Sequence, residues 1–351
     1  MSLSSRVAGS DRASLLCVVL AALVLLVPGL GARDLWDPDE PRTALVTRDL
    51  AAGGAWAAPT LDGRAWLEKP PLYYWLAAAA SRAAGRVDAA SVRLPANLAA
   101  VLLAVTVFLF GRALWGRRAG LLAALVLVTT EDFLIESRWA RPDMLLGLLL
   151  TIAALAAWKG AVEGEARWTV IFWGALGLGI LTKGPVALLP LAGVLAYAVA
   201  ARDSGLLGRL RPASGIPMML VPAAVWMAAW STETGSRFPL GSILGRFAGR
   251  VGEGLHHAHP TSHLLTMLPL ALLPWVAILP AAIAETWPGP VRGRDRRSIF
   301  LYALLLADLT LFALSAEKRG VYLLPMTPLV ALLVGRTWDL RLYAWDPPPP
   351  A

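Results

Sequence analysis

Several short polar segments of this chain, each set between long apolar runs, carry residues able to do acid–base and anion chemistry. The first is Asp39-Glu40-Pro41-Arg42. A carboxylate half out of water has a raised pKa and can act as a base. Asp39 equally suits capping a helix from about residue 41 to 50, with Pro41 in its first turn. In Glu68-Lys69-Pro70-Pro71 the rigid proline pair fixes a cation that could hold a lipid phosphate or snorkel at an interface. Arg138 and Arg141 precede Asp143, which suits an ion-pair cluster or a second phosphate contact; Asp143 could also cap the next helix. Lys183, in Leu181-Thr182-Lys183-Gly184-Pro185, interrupts two apolar runs, and Gly-Pro makes the turn whether or not the lysine binds phosphate. The chain's four histidines, His256, His257, His259 and His263, fall within eight positions. Their spacing specifies no metal, but one of them with Glu68 could bind a divalent ion. The same loop supplies Arg237, Arg246 and Arg250. Finally, Glu317, Lys318, Arg319 and Tyr322 open the last apolar run, a local basic excess that favours a bound anion.

The elements that must position these residues are membrane helices. The 351 residues are 57% hydrophobic and 16% charged, against about 25% charged in a soluble domain. Mean hydropathy is +0.60. The apolar runs are continuous, without the two-residue alternation of a barrel strand, so helices satisfy the backbone in lipid. Runs at 13–32, 93–112, 119–135, 143–160, 168–182, 184–201, 214–230, 263–284, 299–314 and 322–338 approach the ~20 residues a span needs. The net charge of +8 would point to nucleic acid in a soluble protein; here the excess arginine lies in short loops between runs, and topology accounts for it. Cys17 is the single cysteine and sits inside the first run, expected to be an inert buried thiol.

The ambiguous segment is 70–84, short, Pro-initiated and rich in interfacial aromatics. If it does not span, one face collects Arg6/Arg12, Arg112/Arg117/Arg118, Lys159/Arg167, Arg202/Arg209/Arg211, Arg292 to Arg297 and Arg336/Arg341, as the positive-inside rule asks of the cytoplasmic side. It is therefore expected to lie at the outer interface. The first run then acts as an uncleaved anchor. Every polar segment named above falls on the outer face, although none of them was used to choose the topology.

These segments resemble the polyprenyl-phosphate-sugar-dependent membrane glycosyltransferases of the GT-C type, chiefly the bacterial lipid A aminoarabinose transferases and the protein O-mannosyltransferases. The matching pieces are DPDEPR at 37–42, GAWAAPTLDGRAWLEKPPLYYWL at 54–76, RPDMLL at 141–146, LTKGPVALLP at 181–190, RFAGRVGEGLHHAHP at 246–260 and EKRGVYLLPMTPLVALL at 317–333. The stretch after His259 lacks the aromatic cluster often seen there, and the longer relatives continue into further spans and a soluble outer domain. The apolar runs give an all-α integral membrane fold of about ten spans, consistent with a GT-C-like arrangement. It divides into a transmembrane module over 1–338, with juxtamembrane helices in a first periplasmic loop at 33–92 and a later loop at 231–262, and a Pro-rich tail at 339–351. The resemblance implies Asp39 as candidate general base, with Glu40 beside it and Asp143 as a second acid of the cleft. Arg42, Lys69, Arg138, Lys183 and Tyr322 are the candidate contacts to the donor phosphate, and Glu68 with His257 a candidate pair for a divalent metal.

The activity expected is inverting transfer of a sugar from a polyprenyl-phosphate donor to a cell-envelope acceptor, such as lipid A, protein or another glycan. The expected place is the periplasmic face of the bacterial inner membrane. The alternatives are a transporter or flippase of anionic polyprenyl-linked lipids, which should show inverted repeats or mid-membrane charges, and a truncated inactive relative.

Overall fold

The computed structural model describes residues 3–36, 38–252, 262–288, 295–316 and 319–345. The chain opens with α1 (Leu3–Leu26), a long apolar helix on the outside of the bundle. It ends before Pro28-Gly29, and its last carbonyls are taken by distant side chains: Asn97 and Arg138 donate to Leu26, and Arg138 also to Leu25. Cys17 lies exposed on this helix, contrary to the buried thiol expected, because α1 packs by one face only.

Two short helices follow, α2 (Asp39–Ala51) and α3 (Leu72–Ala84). Between them Thr60–Leu61 pairs with Arg64–Ala65 as a minimal hairpin, a small exception to the all-α expectation. Asp62 and Gly63 turn it with φ of 51° and 75°, the left-handed pair that a tight hairpin requires. α3 does not span. It packs on α2, with Arg82 donating to the terminal carbonyls of α2, and Tyr73 anchors it by donating to Val92.

α4 (Ala89–Trp115) begins with a reciprocal cap: Asp88 accepts from Ser91 N, and Ser91 Oγ accepts from Asp88 N. α5 (Arg117–Val128) returns beside it, so close that a Cβ on Gly120 would lie 2.4 Å from Phe108 O. Small residues of this kind let helix backbones meet where lipid gives no hydrophobic drive. The apolar run 119–135 was expected as one span. It breaks instead after Val128, because Thr129 and Thr130 bond back to carbonyls one turn earlier. The short α6 (Glu131–Glu136) then carries the chain sideways.

α7 (Asp143–Ala157) and α8 (Arg167–Lys183) follow, and Gly184–Leu188 turns the chain into α9 (Leu189–Ala201). Arg209 reaches Ala161 O and Trp173 donates to Leu210 O, so the far ends of α7, α8 and α9 lie together and Lys183 stands at the opposite apex. α10 (Leu206–Arg209), α11 (Pro212–Thr234) and α12 (Leu240–Gly252) come next. The run 263–284, expected as one span, is broken into α13 (Ser262–Ala271) and α14 (Leu279–Thr286). Pro269, Pro274 and Pro280 each lack the N–H a continuous helix needs. α15 (Arg296–Leu314), a seven-residue 3₁₀ turn-helix at Gly320–Met326 and α16 (Thr327–Trp345) complete the bundle.

Among the described residues, six helical stretches are long and apolar enough to cross a membrane: Ala89–Trp115, Asp143–Val162, Arg167–Ala201, Pro212–Thr234, Arg296–Leu314 and Gly320–Leu342. One end of the bundle is laced by Arg112–Asp11, Arg118–Asp339 and Arg341–Glu285 pairs. These arginines are among those the charge pattern places on one face. The acids and bases of α2, the 137–142 loop, the α8–α9 turn and the approach to α16 meet at the other end.

Candidate active site

Two adjacent residues of α2 go to different places. Successive side chains leave a helix about 100° apart, so Glu40 turns into the protein and Asp39 toward a cleft. Glu40 is 0% exposed, as is its partner Arg93. Arg93 Nε and Nη2 donate to the two Glu40 oxygens at 2.8 and 2.9 Å. The rest of the guanidinium donates to the carbonyls of Leu30, Arg33 and Asp34, each at 2.9 Å. Glu40 also accepts from Arg33 and from the N–H groups of Trp36 and Ala140. Burial would raise its pKa; the bonds from Arg93, Trp36, Ala140 and Arg33 outweigh that and hold it at about 2. Glu40, a catalytic candidate from its sequence position, is placed as a structural knot between α2, the α1 exit, α4 and the 137–142 loop, out of reach of a substrate.

Asp39 was expected to cap the helix or to have a raised pKa; the structure corrects both. The cap position is Pro38, and Asp39 lies inside the first turn. Its carboxylate meets three cations: Arg319 at 3.0 Å, Arg141 at 3.2 Å and Lys69 at 3.8 Å. Burial pushes its pKa up, but Lys69, Arg141 and Arg319 together hold it below the ordinary value. Asp39 is therefore ionised at neutral pH.

Lys69 and Lys183 bring a second pair of charges. Lys183 is ion-paired with Asp143, the first residue of α7, across the α8–α9 apex. Burial lowers the Lys69 pKa, Asp39 and Asp143 work against it, and Lys183 adds to it. Lys183 Nζ also lies 5.0 Å from the ring centre of Tyr322, which stacks on Phe312. Asp39, Lys69, Arg141, Asp143, Lys183, Arg319 and Tyr322 thus form one cluster, drawn from segments far apart in sequence.

The cluster edges a cavity of about 460 Å³. Glu68, Lys69, Asp143, Lys183 and Tyr322 line its polar end. Apolar side chains of α8, α11, α12 and α15, among them Leu220, Trp226, Ile243 and Leu311, line the remainder. The loop at Ala57–Ala58 is tied to α11: Trp226, which lines the cavity, donates to Ala57 O, and Glu233 accepts from the N–H groups of Ala57 and Ala58. A site of this form suits an amphiphile with an anionic head and an apolar chain.

Other sequence candidates fall elsewhere. Arg42 is exposed and makes no hydrogen bond or ion pair among the described residues. Arg138 serves the end of α1, as described. His257, Glu317 and Lys318 lie outside the described residues. Glu68 lines the cavity, but among the described residues no three His, Cys, Asp or Glu side chains converge as a metal site. One carboxylate does not define a ligand set, and no step here is routed through a metal. Arg93 is absent from the sequence-derived set, Arg319 enters it only within the basic excess before the last run, and Arg141 only as one of two arginines near Asp143. The signal for Arg93 is a lone charge at the edge of an apolar run with no acid within four positions of it.

Residues 68–230 match the family described as dolichyl-phosphate-mannose-protein mannosyltransferase. Over 341 residues the chain is 30% identical to an undecaprenyl phosphate-alpha-4-amino-4-deoxy-L-arabinose arabinosyl transferase of Pseudomonas aeruginosa, covering 93% of this chain and 60% of that protein. The enzyme of the same name from Edwardsiella ictaluri is 32% identical over 327 residues, 90% of this chain and 58% of that protein. The chain therefore spans about three fifths of the curated relatives it matches. Among solved structures it superposes on ArnT from Cupriavidus metallidurans bound to undecaprenyl phosphate, with a TM-score of 0.82, 26% identity, and coverage of 94% of this chain and 62% of that one. The archaeal oligosaccharyltransferase AglB from Archaeoglobus fulgidus shares the fold at a TM-score of 0.67 and 14% identity, over 96% of this chain and 51% of its own. The chain thus matches the mannosyltransferase family over residues 68–230, shares the fold of ArnT, and is similar over nearly its whole length to the aminoarabinose transferases.

Proposed function

We propose that this chain forms the membrane module of an inverting glycosyltransferase. It would move a sugar from a polyprenyl-phosphate donor to a cell-envelope acceptor, with lipid A, protein and other glycans as the acceptor classes. The observation that carries this reading is one cavity whose polar end holds Lys69, Lys183 and Tyr322 and whose remainder is apolar. A lipid phosphate would seat its anion against the lysines and its chain along α8, α11 and α12. The transferred sugar is read as an aminopentose, after the names of the similar enzymes. The site faces the periplasm in a ten-span reading of the bundle, with the arginine-laced end in the cytoplasm of a bacterial inner membrane.

The chemistry follows from the charges. The acceptor hydroxyl donates a hydrogen bond to the Asp39 carboxylate, which is ionised and so in the right state to orient it and take its proton. The acceptor oxygen attacks the anomeric carbon from the side opposite the phosphate; the C–O bond to phosphate breaks, and the anomeric configuration inverts. The departing polyprenyl phosphate keeps the bond electrons, and Lys69, Lys183 and Arg319 stabilise its charge. Each well-placed donor of this kind contributes about 3–4 kcal/mol. Because Asp39 is a weak base among three cations, much of its work is to hold the nucleophile and the basic groups in line.

The test is Asp39→Asn in purified protein supplied with polyprenyl-phosphate sugar and acceptor extract. The variant should fold, bind donor and release no polyprenyl phosphate. Full transfer by this variant would remove Asp39 from the mechanism.

A further inference from the structure

One buried acid beside the cluster has no role in the reaction described. Glu136, at the end of α6, is 7% exposed. Its Oε1 accepts from Arg141 Nη1 at a long 3.4 Å, and its Oε2 is buried with no hydrogen-bond partner among the described residues. Burial raises its pKa to about 8, against the pull of Arg141, with Asp143 and Asp132 adding to the rise. Glu136 therefore carries its proton at neutral pH.

Arg141 is the shared partner. Its Nε faces Asp39 Oδ2 at 3.2 Å, yet this nitrogen makes no hydrogen bond of good geometry. Its Nη1 faces Glu136, and the guanidinium lies 4.0 Å from the ring centre of Trp139, which confines it to one plane. The cation stands between two carboxyl groups and grips neither closely. While Glu136 is neutral, the Arg141 charge is directed at Asp39. An ionised Glu136 would compete for it and add a negative charge near Lys183.

We propose that Glu136 is a positioning residue for Asp39: by keeping or losing its proton it sets how much of Arg141 Asp39 receives. Other charges face it too. Asp132 stands one turn earlier on α6, raised to about 7 by burial and by Glu131 and Asp143. Asp143 on α7 and Lys183 on α8 act across the cleft. Of the elements packed on α6, α13 carries His263, and the Gly320–Met326 turn carries Tyr322 with Arg319 just before it. The charges of α5, Arg117 and Arg118, are at its opposite end.

The turnover arm of the test rests on the proposed glycosyl transfer; the spectroscopic arm does not. Transfer by the full chain in lipid nanodiscs is followed from about pH 6 to about pH 10 with polyprenyl-phosphate sugar and acceptor extract. Wild type should lose about tenfold in rate as Glu136 ionises, with a midpoint near pH 8. Glu136→Gln should lack the limb centred near pH 8, and Asp132→Asn should keep it. In parallel, infrared pH titration should show a protonated carboxyl, missing in Glu136→Gln, whose loss shifts the Asp39 carboxylate band identified from Asp39→Asn. An alkaline limb unchanged in Glu136→Gln, or an Asp39 band indifferent to the Glu136 charge, would overturn the proposal. If wild type transfers no sugar, the functional reading fails, and the infrared result still decides the role of Glu136.

Discussion

Replacing Glu40 by glutamine separates a structural acid from a catalytic one. The side chain keeps its size but loses its charge, and one of its oxygens becomes an NH₂ facing donors. The cost can be reached by two routes. Removing one partner of a buried ion pair costs about 3–5 kcal/mol. Independently, Glu40 is held at about 2 against an ordinary 4.5, a gap worth about 3 kcal/mol. The sign follows from the direction. A lowered acid stabilises the fold fully above its unfolded value, and that stability drains away as pH falls from 4.5 toward 2. Glu40→Gln should therefore lose about 3 kcal/mol at neutral pH. Its stability should also vary less between about pH 5 and pH 2 than that of wild type. Chemical unfolding of the protein in detergent, followed by tryptophan fluorescence at several pH values, measures both. Donor-supplied protein that remains folded should still transfer at a rate within about tenfold of wild type, because Glu40 touches no substrate. A variant as stable as wild type but without turnover would refute the reasoning and return Glu40 to the catalytic set.

Two further substitutions test other joints. Lys183→Met keeps the stem and removes the cation from the phosphate end of the cavity; transfer should fall by about 100-fold or more, and a loss under about threefold would exclude Lys183 from phosphate stabilisation. Gly120→Leu forces a side chain against the Phe108 carbonyl and should destabilise the α4–α5 contact by about 1–3 kcal/mol, read as a lowered unfolding midpoint; no change would mean that the two helices can separate freely.

The sequence shows that the polar segments belong to one end of the bundle, because membrane topology sorts loops by charge before any contact is known. It also marks 70–84 as short and aromatic, the traits of a helix lying at an interface. It does not show which charge meets which. Asp39 reads as a half-desolvated base, whereas the fold surrounds it with Lys69, Arg141 and Arg319 and lowers its pKa. Those partners lie up to 280 positions away, and no local pattern reports such pairings. Glu40 and Arg93 are hidden for a related reason: each looks like an ordinary charge at a helix start until the two are seen buried together. The broken helices were missed where Thr129, Thr130, Pro269, Pro274 and Pro280 compete with a hydropathy signal that counts only apolar character.

Because Asp39 immediately follows Pro38 and immediately precedes a residue locked into the interior, its heading is indexed to the bundle rather than chosen by the cleft. Adding or deleting a single residue in the turn before α2 would leave every group of the cluster present. It would still force a choice between seating the anchor and aiming the carboxylate, since one step along a helix is about 100° of rotation. The length of that approach is thus coupled to the aim of the carboxylate.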